Sequence, residues 1–313
     1  MNNDPLTPFL ATQSVVVLDG ALSTELERRG ADLNDPLWSA KLLVEDPALI
    51  RRVHYDYLRA GADVITTSSY QATFAGFARR GIDAAVAADL MRLSVTLALD
   101  ARDEFWSDSD NRIGRLRPLV AASVGPYGAF LADGSEYRGD YDLDVAGLME
   151  FHRPRMAVLA ASGADLLACE TIPCQAEGEA LVRLLPEFTP MPTWLSYSCR
   201  DGERVSQGEP FATCVALTEG CASIVATGVN CTAPRHIEHL LAAAHAVTTR
   251  PLICYPNSGE AWDSYHHCWV DSPDGADFGA MAQRWYNAGA RIIGGCCSTT
   301  PDDVREIVRE IRE

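Results

Sequence analysis

Residues 288–297 read AGARIIGGCC, and this stretch contains the pattern on which the fold prediction rests. A glycine ends a helical segment, and a short apolar run follows as a buried strand. Side chains that can bind a metal or react come directly after that strand. The same junction occurs as AGADVI at residues 60–65 and as SGADLL at residues 162–167. The internal repeat predicts a fold built from successive helix–strand units.

Eight short apolar segments alternate with helical patterns, and no break in composition separates them. This alternation favours one (β/α)8 barrel of the TIM type over residues 1–313. A doubly wound open sheet is the alternative, but no G-x-G-x-x-G sequence follows the first strand. The predicted strands are 15–18, 62–66, 118–123, 164–169, 193–198, 223–229, 252–255 and a final strand that contains Ile292 and Ile293.

The composition excludes several classes of partner. The 313 residues are 47% hydrophobic and carry a formal net charge of -17, so nucleic acid and anionic membranes are unfavourable partners. No secretion signal and no apolar stretch of membrane-spanning length is visible. We therefore expect a cytoplasmic monomer whose ten cysteines are mostly reduced.

Chemically active residues follow the strands of the predicted barrel at one end. Because the active sites of TIM barrels lie at the carboxyl ends of the strands, these residues are the candidates for function. From local sequence alone, a βα turn or a salt bridge at the rim explains the acidic ones equally well. The candidates are Asp19 and Gly20 after the first strand, Thr67 after the second, Glu170 after the fourth, Cys231 after the sixth, and Cys296 with Cys297 after the eighth.

The three cysteines predict a metal site. Adjacent cysteines such as Cys296 and Cys297 form a strained disulfide but make good thiolate ligands. Strands six and eight are next-nearest neighbours in a barrel, so Cys231 can supply a third sulfur. Three thiolates leave the fourth position of a tetrahedral zinc ion open, as in catalytic sites. The alternatives are a closed structural zinc site or small residues at strand ends.

The motifs that contain these residues resemble a known family. GVNC at residues 228–231 and GGCC at 294–297, together with LDGA near the start, ACET at 168–171 and YPNSGE at 255–260, are similar to the zinc-dependent homocysteine S-methyltransferases. That family includes betaine–homocysteine methyltransferase and the homocysteine module of cobalamin-dependent methionine synthase. The likeness runs from end to end and is greatest to the small cobalamin-free bacterial enzymes that use S-methylmethionine.

The resemblance implies both the reaction and the roles of the residues. Cys231, Cys296 and Cys297 would hold zinc, and the sulfur of homocysteine would take the fourth position. The amino-acid part of homocysteine would be held by Asp19, Gly20, Thr67 and Glu170. The methyl donor would be S-methylmethionine or, less well, S-adenosylmethionine, and the product methionine.

Other functions remain open on the sequence. The same barrel could use betaine or a methyl-corrinoid protein as donor, although the chain has no D-x-H-x-x-G cobalamin motif. A thiol-redox protein or a zinc protein that only binds thiols would also use the adjacent cysteines. The loops after strands three and seven should select the donor, and Trp262 and Tyr265 are candidates to line its pocket because aromatic faces attract cations. His266, His267 and Cys268 have no matching ligands elsewhere, and we interpret them as surface or rim residues.

Overall fold

The computed structural model describes residues 4–35, 37–259, 261–263, 268–270 and 277–312. Its main sheet has eight parallel strands, and the predicted (β/α)8 barrel is confirmed. We number these strands in chain order: β1 Val16–Val17, β2 Val64–Thr66, β3 Leu119–Val124, β4 Leu166–Ile172, β5 Thr193–Tyr197, β6 Ile224–Asn230, β7 Leu252–Tyr255 and β8 Ala290–Ile293. Each strand pairs with its sequence neighbours, and β8 pairs with β1. The Leu18–Val64 bridge joins β1 to β2 and closes the barrel.

Helices surround the barrel, and most of the long ones begin at an aspartate. The side chains of Asp46, Asp83, Asp144 and Asp277 each accept a hydrogen bond from a backbone amide in the first turn of the helix that follows. No helix in the described ranges is long and apolar enough to cross a bilayer. The α-helices are Thr7–Gln13, Leu22–Arg28, Leu42–Glu45, Pro47–Ala60, Phe74–Arg79, Ala84–Ser107, Tyr127–Leu131, Val145–Ala160, Gln175–Leu184, Phe211–Ala216, Ile237–His245, Phe278–Asn287 and Pro301–Arg312.

Two details could not be read from the sequence. A proline within a helical pattern can kink or restart the helix, and here Val145–Ala160 is one element with Pro154 inside it. Buried residues on both sides of the proline, among them Leu148 and Met156, hold the helix against the sheet, and this packing outweighs one missing hydrogen bond. The loop predicted after the third strand contains the helix Tyr127–Leu131 and a 3-10 turn, Ser135–Tyr137.

The amino end of the barrel is closed by the first helix. Leu6 and Phe9 are buried in the same apolar cluster as the interior residues Val16, Val64 and Trp194. Because apolar side chains fill this end, it offers no path for a polar ligand.

A buried carboxylate ties both ends of the chain to the amino end of the barrel. Asp63 accepts hydrogen bonds from the backbone amide of Val17 at 2.9 Å and from Gln13 Nε2 at 3.4 Å. It also pairs with Arg312 in the last helix. The N-terminal helix and the C-terminal helix therefore share one anchor.

Candidate active site

Three thiols meet at the carboxyl end of the barrel. The Sγ atom of Cys231 lies 2.7 Å from that of Cys296 and 3.4 Å from that of Cys297, and the last two are 4.0 Å apart. Cys231 and Cys297 are buried, whereas Cys296 is half-buried. Within the described ranges, this is the one group of three or more possible ligand residues whose ligand atoms all lie within 4.8 Å of one another.

Strand β7 brings the thiols together. It lies between β6 and β8, and its exit accepts hydrogen bonds from both sides. The amide of Cys231 donates to the carbonyl of Tyr255 at 3.1 Å, and the amide of Cys296 donates to the carbonyl of Pro256 at 2.7 Å. The backbone thus fixes the two strand ends next to each other.

The two glycines before Cys296 are required by close packing. A β-carbon on Gly294 would lie 2.6 Å from the β-carbon of Leu18, and one on Gly295 would overlap the side chain of Thr299. Only glycine allows the exit of β8 to pass β1 this closely. The GGCC motif therefore combines a packing requirement with the two thiols.

Left-handed backbone conformations surround the thiols. Among non-glycine residues, Thr171 has a φ of 61°, Cys231 of 48° and Ser298 of 62°. Such conformations cost about 1–2 kcal/mol each, and they persist where the surrounding structure imposes them. The strain at Cys231 directs its side chain out of the β6 ladder.

The thiol group fits a zinc ion. Sulfurs around tetrahedral zinc are about 3.8 Å apart when each Zn–S bond is about 2.3 Å, so two of the three separations are close to the required edge. The 2.7 Å separation must widen by about 1 Å. Hydrogen bonds from the Cys296 and Cys297 thiols hold the pKa of Cys231 well below its usual range. The same contacts with Cys231 hold the pKa of Cys296 and of Cys297 well above the usual range, so a metal must displace the protons of these two thiols. Soft, closely spaced thiolates suit zinc better than magnesium or calcium.

Asp19 lies buried at the end of β1, where its backbone carbonyl accepts a hydrogen bond at 3.1 Å from the amide of Gly295, the residue before Cys296. Its Oδ2 atom accepts a hydrogen bond from the amide of Thr66 at 2.7 Å, and the Thr66 hydroxyl donates to the same carboxylate at 3.1 Å. Burial raises the pKa of Asp19 well above its usual value, and the nearby Glu170 raises it further. The adjacent Gly20 leaves no room for a side chain, because a β-carbon there would lie 2.8 Å from Thr299 Oγ1.

Glu170 is a second buried carboxylate, and it lies within β4 rather than after it. The hydroxyl of Tyr255 donates to its Oε2 atom at 3.0 Å, and Ser123 donates to Oε1. Burial raises the pKa of Glu170 to about 7, although these two hydrogen bonds act in the opposite direction. No cationic side chain of the described residues compensates either carboxylate, so both are suited to receive a cation from a ligand.

A buried hydrogen-bond network connects Glu170 to the thiols. Tyr255 lies 2.7 Å from the hydroxyl of Ser196, which donates to Asn230 Oδ1 at 2.8 Å. Asn230 in turn binds the backbone amide and the hydroxyl of Thr171, both at 2.7 Å. Since Asn230 immediately precedes Cys231, the network holds two of the left-handed residues in place.

Thr67 differs from the other predicted ligand-binding residues because the protein already uses its hydroxyl. That hydroxyl lies 2.7 Å from Ser69 Oγ and accepts a hydrogen bond from the amide of Ser123 at 3.1 Å. Thr67 is buried next to the site. The Thr67 hydroxyl has one lone pair left, with which it can accept a hydrogen bond from a ligand.

The segment after β3, whose loop was expected to help select the donor, reaches over the thiols, but Glu136 and Tyr137 were not predicted as individual site residues. The Tyr137 hydroxyl lies 3.6 Å from the Sγ atom of Cys231. Glu136 accepts a weak hydrogen bond from Tyr70 at 3.5 Å. The aromatic content of the predicted loop was the available signal, but its folding onto β6 depends on tertiary packing. Of the remaining candidates in the loop after β7, Tyr265, His266 and His267 lie outside the described residues, and for Trp262 and Cys268 the structure describes the backbone alone.

Comparisons with known proteins agree with this geometry. The family model for homocysteine S-methyltransferase matches residues 16–311. The chain is 51% identical to the homocysteine S-methyltransferase YbgG of Bacillus subtilis, over 97% of this chain and 96% of that protein. It is 47% identical to the selenocysteine Se-methyltransferase of Brassica oleracea var. italica, over 96% and 90% of the two chains. Among solved structures, the metallated form of the homocysteine methyltransferase MmuM from Escherichia coli superposes with a TM-score of 0.88 at 47% identity, covering 99% of this chain and 100% of that one.

Proposed function

Because the chain belongs to the homocysteine S-methyltransferase family, we propose that it transfers a methyl group from S-methylmethionine, or less well from S-adenosylmethionine, to homocysteine at a zinc ion held by Cys231, Cys296 and Cys297. The chain is a methyltransferase of homocysteine. The donor and the metal are the parts that we propose.

The arrangement of the three thiols carries the proposal. They lie within 4.8 Å of one another at the mouth of a barrel whose other end is closed. A zinc ion bound there would act as a Lewis acid that makes the homocysteine thiol a thiolate at neutral pH. A free thiol with a pKa of about 8.5 would be mostly protonated and a weaker nucleophile.

The protein orients homocysteine through its amino-acid group. Asp19 and Glu170 place two carboxylates beside the thiols, and an ammonium group between them would compensate both charges. Gly20 has no room for a side chain and would contact the ligand through its backbone, and Thr67 adds one hydrogen-bond acceptor. Holding the substrate at both ends aligns its sulfur for attack, which supplies much of the acceleration.

The reaction itself needs no further base. The homocysteine thiol loses its proton to solvent, and its sulfur attacks the methyl carbon of the donor. The bond between that carbon and the donor sulfur breaks, and its electron pair stays on the donor sulfur. The donor therefore changes from a sulfonium cation to a neutral thioether, which favours transfer. Betaine or a methyl-corrinoid protein remains the alternative donor.

A selenol is a second candidate acceptor. The selenocysteine Se-methyltransferase relative has 47% identity to this chain, and a soft zinc site accepts selenolates as well as thiolates. We propose that selenohomocysteine or selenocysteine also reacts.

The decisive experiment is methionine release from homocysteine and S-methylmethionine, with protein that is zinc-loaded, chelator-stripped or reloaded. We expect turnover that disappears on stripping and returns with zinc. Turnover that survives complete removal of metal would overturn the zinc mechanism. Zinc-loaded protein that is active only with betaine or a methyl-corrinoid would overturn the donor assignment.

We further propose that residues 1–313 form one homocysteine-binding domain, which acts as a cytoplasmic monomer on small molecules. Light scattering coupled to gel filtration tests the oligomeric state. A mass of twice 34.0 kDa would contradict it.

A further inference from the structure

The segment that follows β3 folds down over the thiols and is fixed there by close packing. Gly128, in the helix Tyr127–Leu131, lies so close to Glu136 that a β-carbon would overlap the backbone amide of that residue. Gly139 has a φ of 72° and passes within 3.0 Å, measured from its β-carbon position, of the Cys174 side chain. The position of Glu136 is therefore a consequence of tight backbone contacts rather than of its own charge.

Glu136 is a half-buried carboxylate without an ionic partner in the described part of the chain. Its contact with Tyr70 is long, at 3.5 Å, and the neighbouring Arg138 instead lies near the carboxylates of Asp133 and Asp140. The next residue, Tyr137, reaches Cys231 at 3.6 Å. Glu136 thus adds negative charge beside a group of thiols that becomes negative when it binds metal.

This placement is unfavourable in the absence of a ligand. Burial, together with the nearby charge of Cys231, raises the pKa of Glu136 to about 7. A carboxylate that is desolvated next to other negative groups is stabilised when a cation arrives. The homocysteine ammonium already has Asp19 and Glu170 available, so the cation for Glu136 must come from the second substrate.

We propose that Glu136 is a specificity-determining residue that binds the positive charge of the methyl donor above the three thiols. The inference rests on the proposed function, because it names the chemical class of the donor: a small onium cation such as a sulfonium.

The proposal makes a kinetic prediction. The donor loses its positive charge as the methyl group leaves, so the attraction to Glu136 is strongest before transfer and weakest after it. An interaction that is not stronger in the transition state lowers KM without raising kcat. The same loss of attraction helps to release the neutral product.

The test compares a charged ligand with an uncharged one of the same shape. Isothermal titration calorimetry on the zinc-loaded protein, without homocysteine, measures the Kd of S-methylmethionine and of 2-amino-5-methylhexanoate, in which a CH group replaces the sulfonium. We expect the wild type to prefer the sulfonium about 10-fold, Glu136→Gln to lose that preference, and Glu136→Asp to keep part of it. In turnover, Glu136→Gln should raise the donor KM about 10-fold and change kcat less than about 3-fold.

Asp140→Asn is the matched control, because it removes one negative charge from the same segment at a side chain that is 63% exposed. It should leave the preference unchanged. Equal weakening of both ligands in Glu136→Gln, or equal effects of the two variants, would overturn the proposal.

The role of Glu136 can be tested even if S-methylmethionine is not the donor. If the wild type does not bind S-methylmethionine, the same ratio is measured with betaine and 3,3-dimethylbutanoate. A preference for betaine that depends on Glu136 supports the onium site and overturns only the donor. Absence of any preference for either cation in the wild type overturns the role of Glu136.

Discussion

The two ends of the barrel differ in whether a buried carboxylate has a cationic partner. At the amino end, Asp63 is paired with Arg312, and Arg115 donates to the carbonyls of Leu58 and Ala62 at 2.8 and 2.6 Å. At the carboxyl end, Asp19 and Glu170 are also buried, but the described part of the chain offers them only neutral hydrogen-bond donors.

The difference separates stability from function. A paired buried charge holds the fold together, and removing one partner leaves the other uncompensated. An unpaired buried charge weakens the fold and is tolerated where a ligand completes it. Substitutions at the two ends should therefore have opposite consequences, and the following predictions test this contrast.

The largest effect is expected at the thiols. Cys297→Ser should lower kcat/KM by about 1,000-fold or more, equivalent to about 4 kcal/mol, because two remaining thiolates hold zinc poorly. Circular dichroism should show an unchanged fold. Cys254→Ala is the control, since this buried thiol lies in β7 but outside the group of three. Stoichiometric zinc in Cys297→Ser with normal turnover would contradict the assignment.

At the amino end, Asp63→Asn should lower the free energy of unfolding by about 4 kcal/mol, because Arg312 is left half-buried without its partner. Urea denaturation measures this change, and kcat of the folded fraction should be unaffected. Asp103→Asn is the comparison, since its ion pairs with Arg102 and Arg117 involve a carboxylate that is 56% exposed; it should cost less than about 1 kcal/mol. If Asp63→Asn lost turnover without losing stability, Asp63 would serve function and not stability, contrary to this prediction.

Glu170→Gln should change the pH dependence of stability in metal-free protein. The folded-state pKa of Glu170 is raised from 4.5 to about 7, so the folded form keeps a proton that the unfolded form releases. The wild type therefore loses stability as pH rises from about 4.5 to 7, by up to roughly 3 kcal/mol. The glutamine variant lacks this loss and should become the more stable protein near pH 7. Denaturation at pH 5 and pH 7.5 measures it, and parallel pH profiles for the two proteins would argue against a buried, unpaired carboxylate.

The smallest effect concerns backbone strain. Ser14 ends the first helix with a φ of 64°, and Ser298 follows the thiols with a φ of 62°. Replacement of either by glycine should raise the free energy of unfolding by about 0.5–1 kcal/mol, because glycine adopts this conformation freely. Only Ser298→Gly should also weaken zinc binding, as measured by chelator competition. Equal metal affinity in both variants would mean that the strain near the thiols is incidental.

Much of this architecture could be predicted from the sequence, because it is encoded by local patterns. The repeated glycine junctions and apolar runs predicted the barrel, and strand-end positions brought Cys231 and Cys296 to the same face. Local patterns could not indicate which lateral contacts form. Thr66 donates to Asp19, and Asn230 and Tyr255 act through partners that are distant in sequence.

The covering segment illustrates the same limit. Its turns depend on Gly128 and Gly139, whose importance is visible only when the backbones that they approach are known. Pro154 shows a related limit, since its helix continues through the proline and packing on the sheet outweighs the local preference.

The apolar closure formed by Leu6 and Phe9 has a consequence for the order of events. Because the amino end of the barrel is closed, both substrates must enter at the carboxyl end, and the substrate that binds deeper must enter first. We expect ordered steady-state kinetics, in which homocysteine binds first and the methionine formed from it leaves last. Donor that binds the free enzyme should form a dead-end complex, because it blocks the entry of homocysteine. With S-adenosylmethionine as donor, whose demethylated product differs from methionine, product inhibition should show methionine competing with homocysteine rather than with the donor.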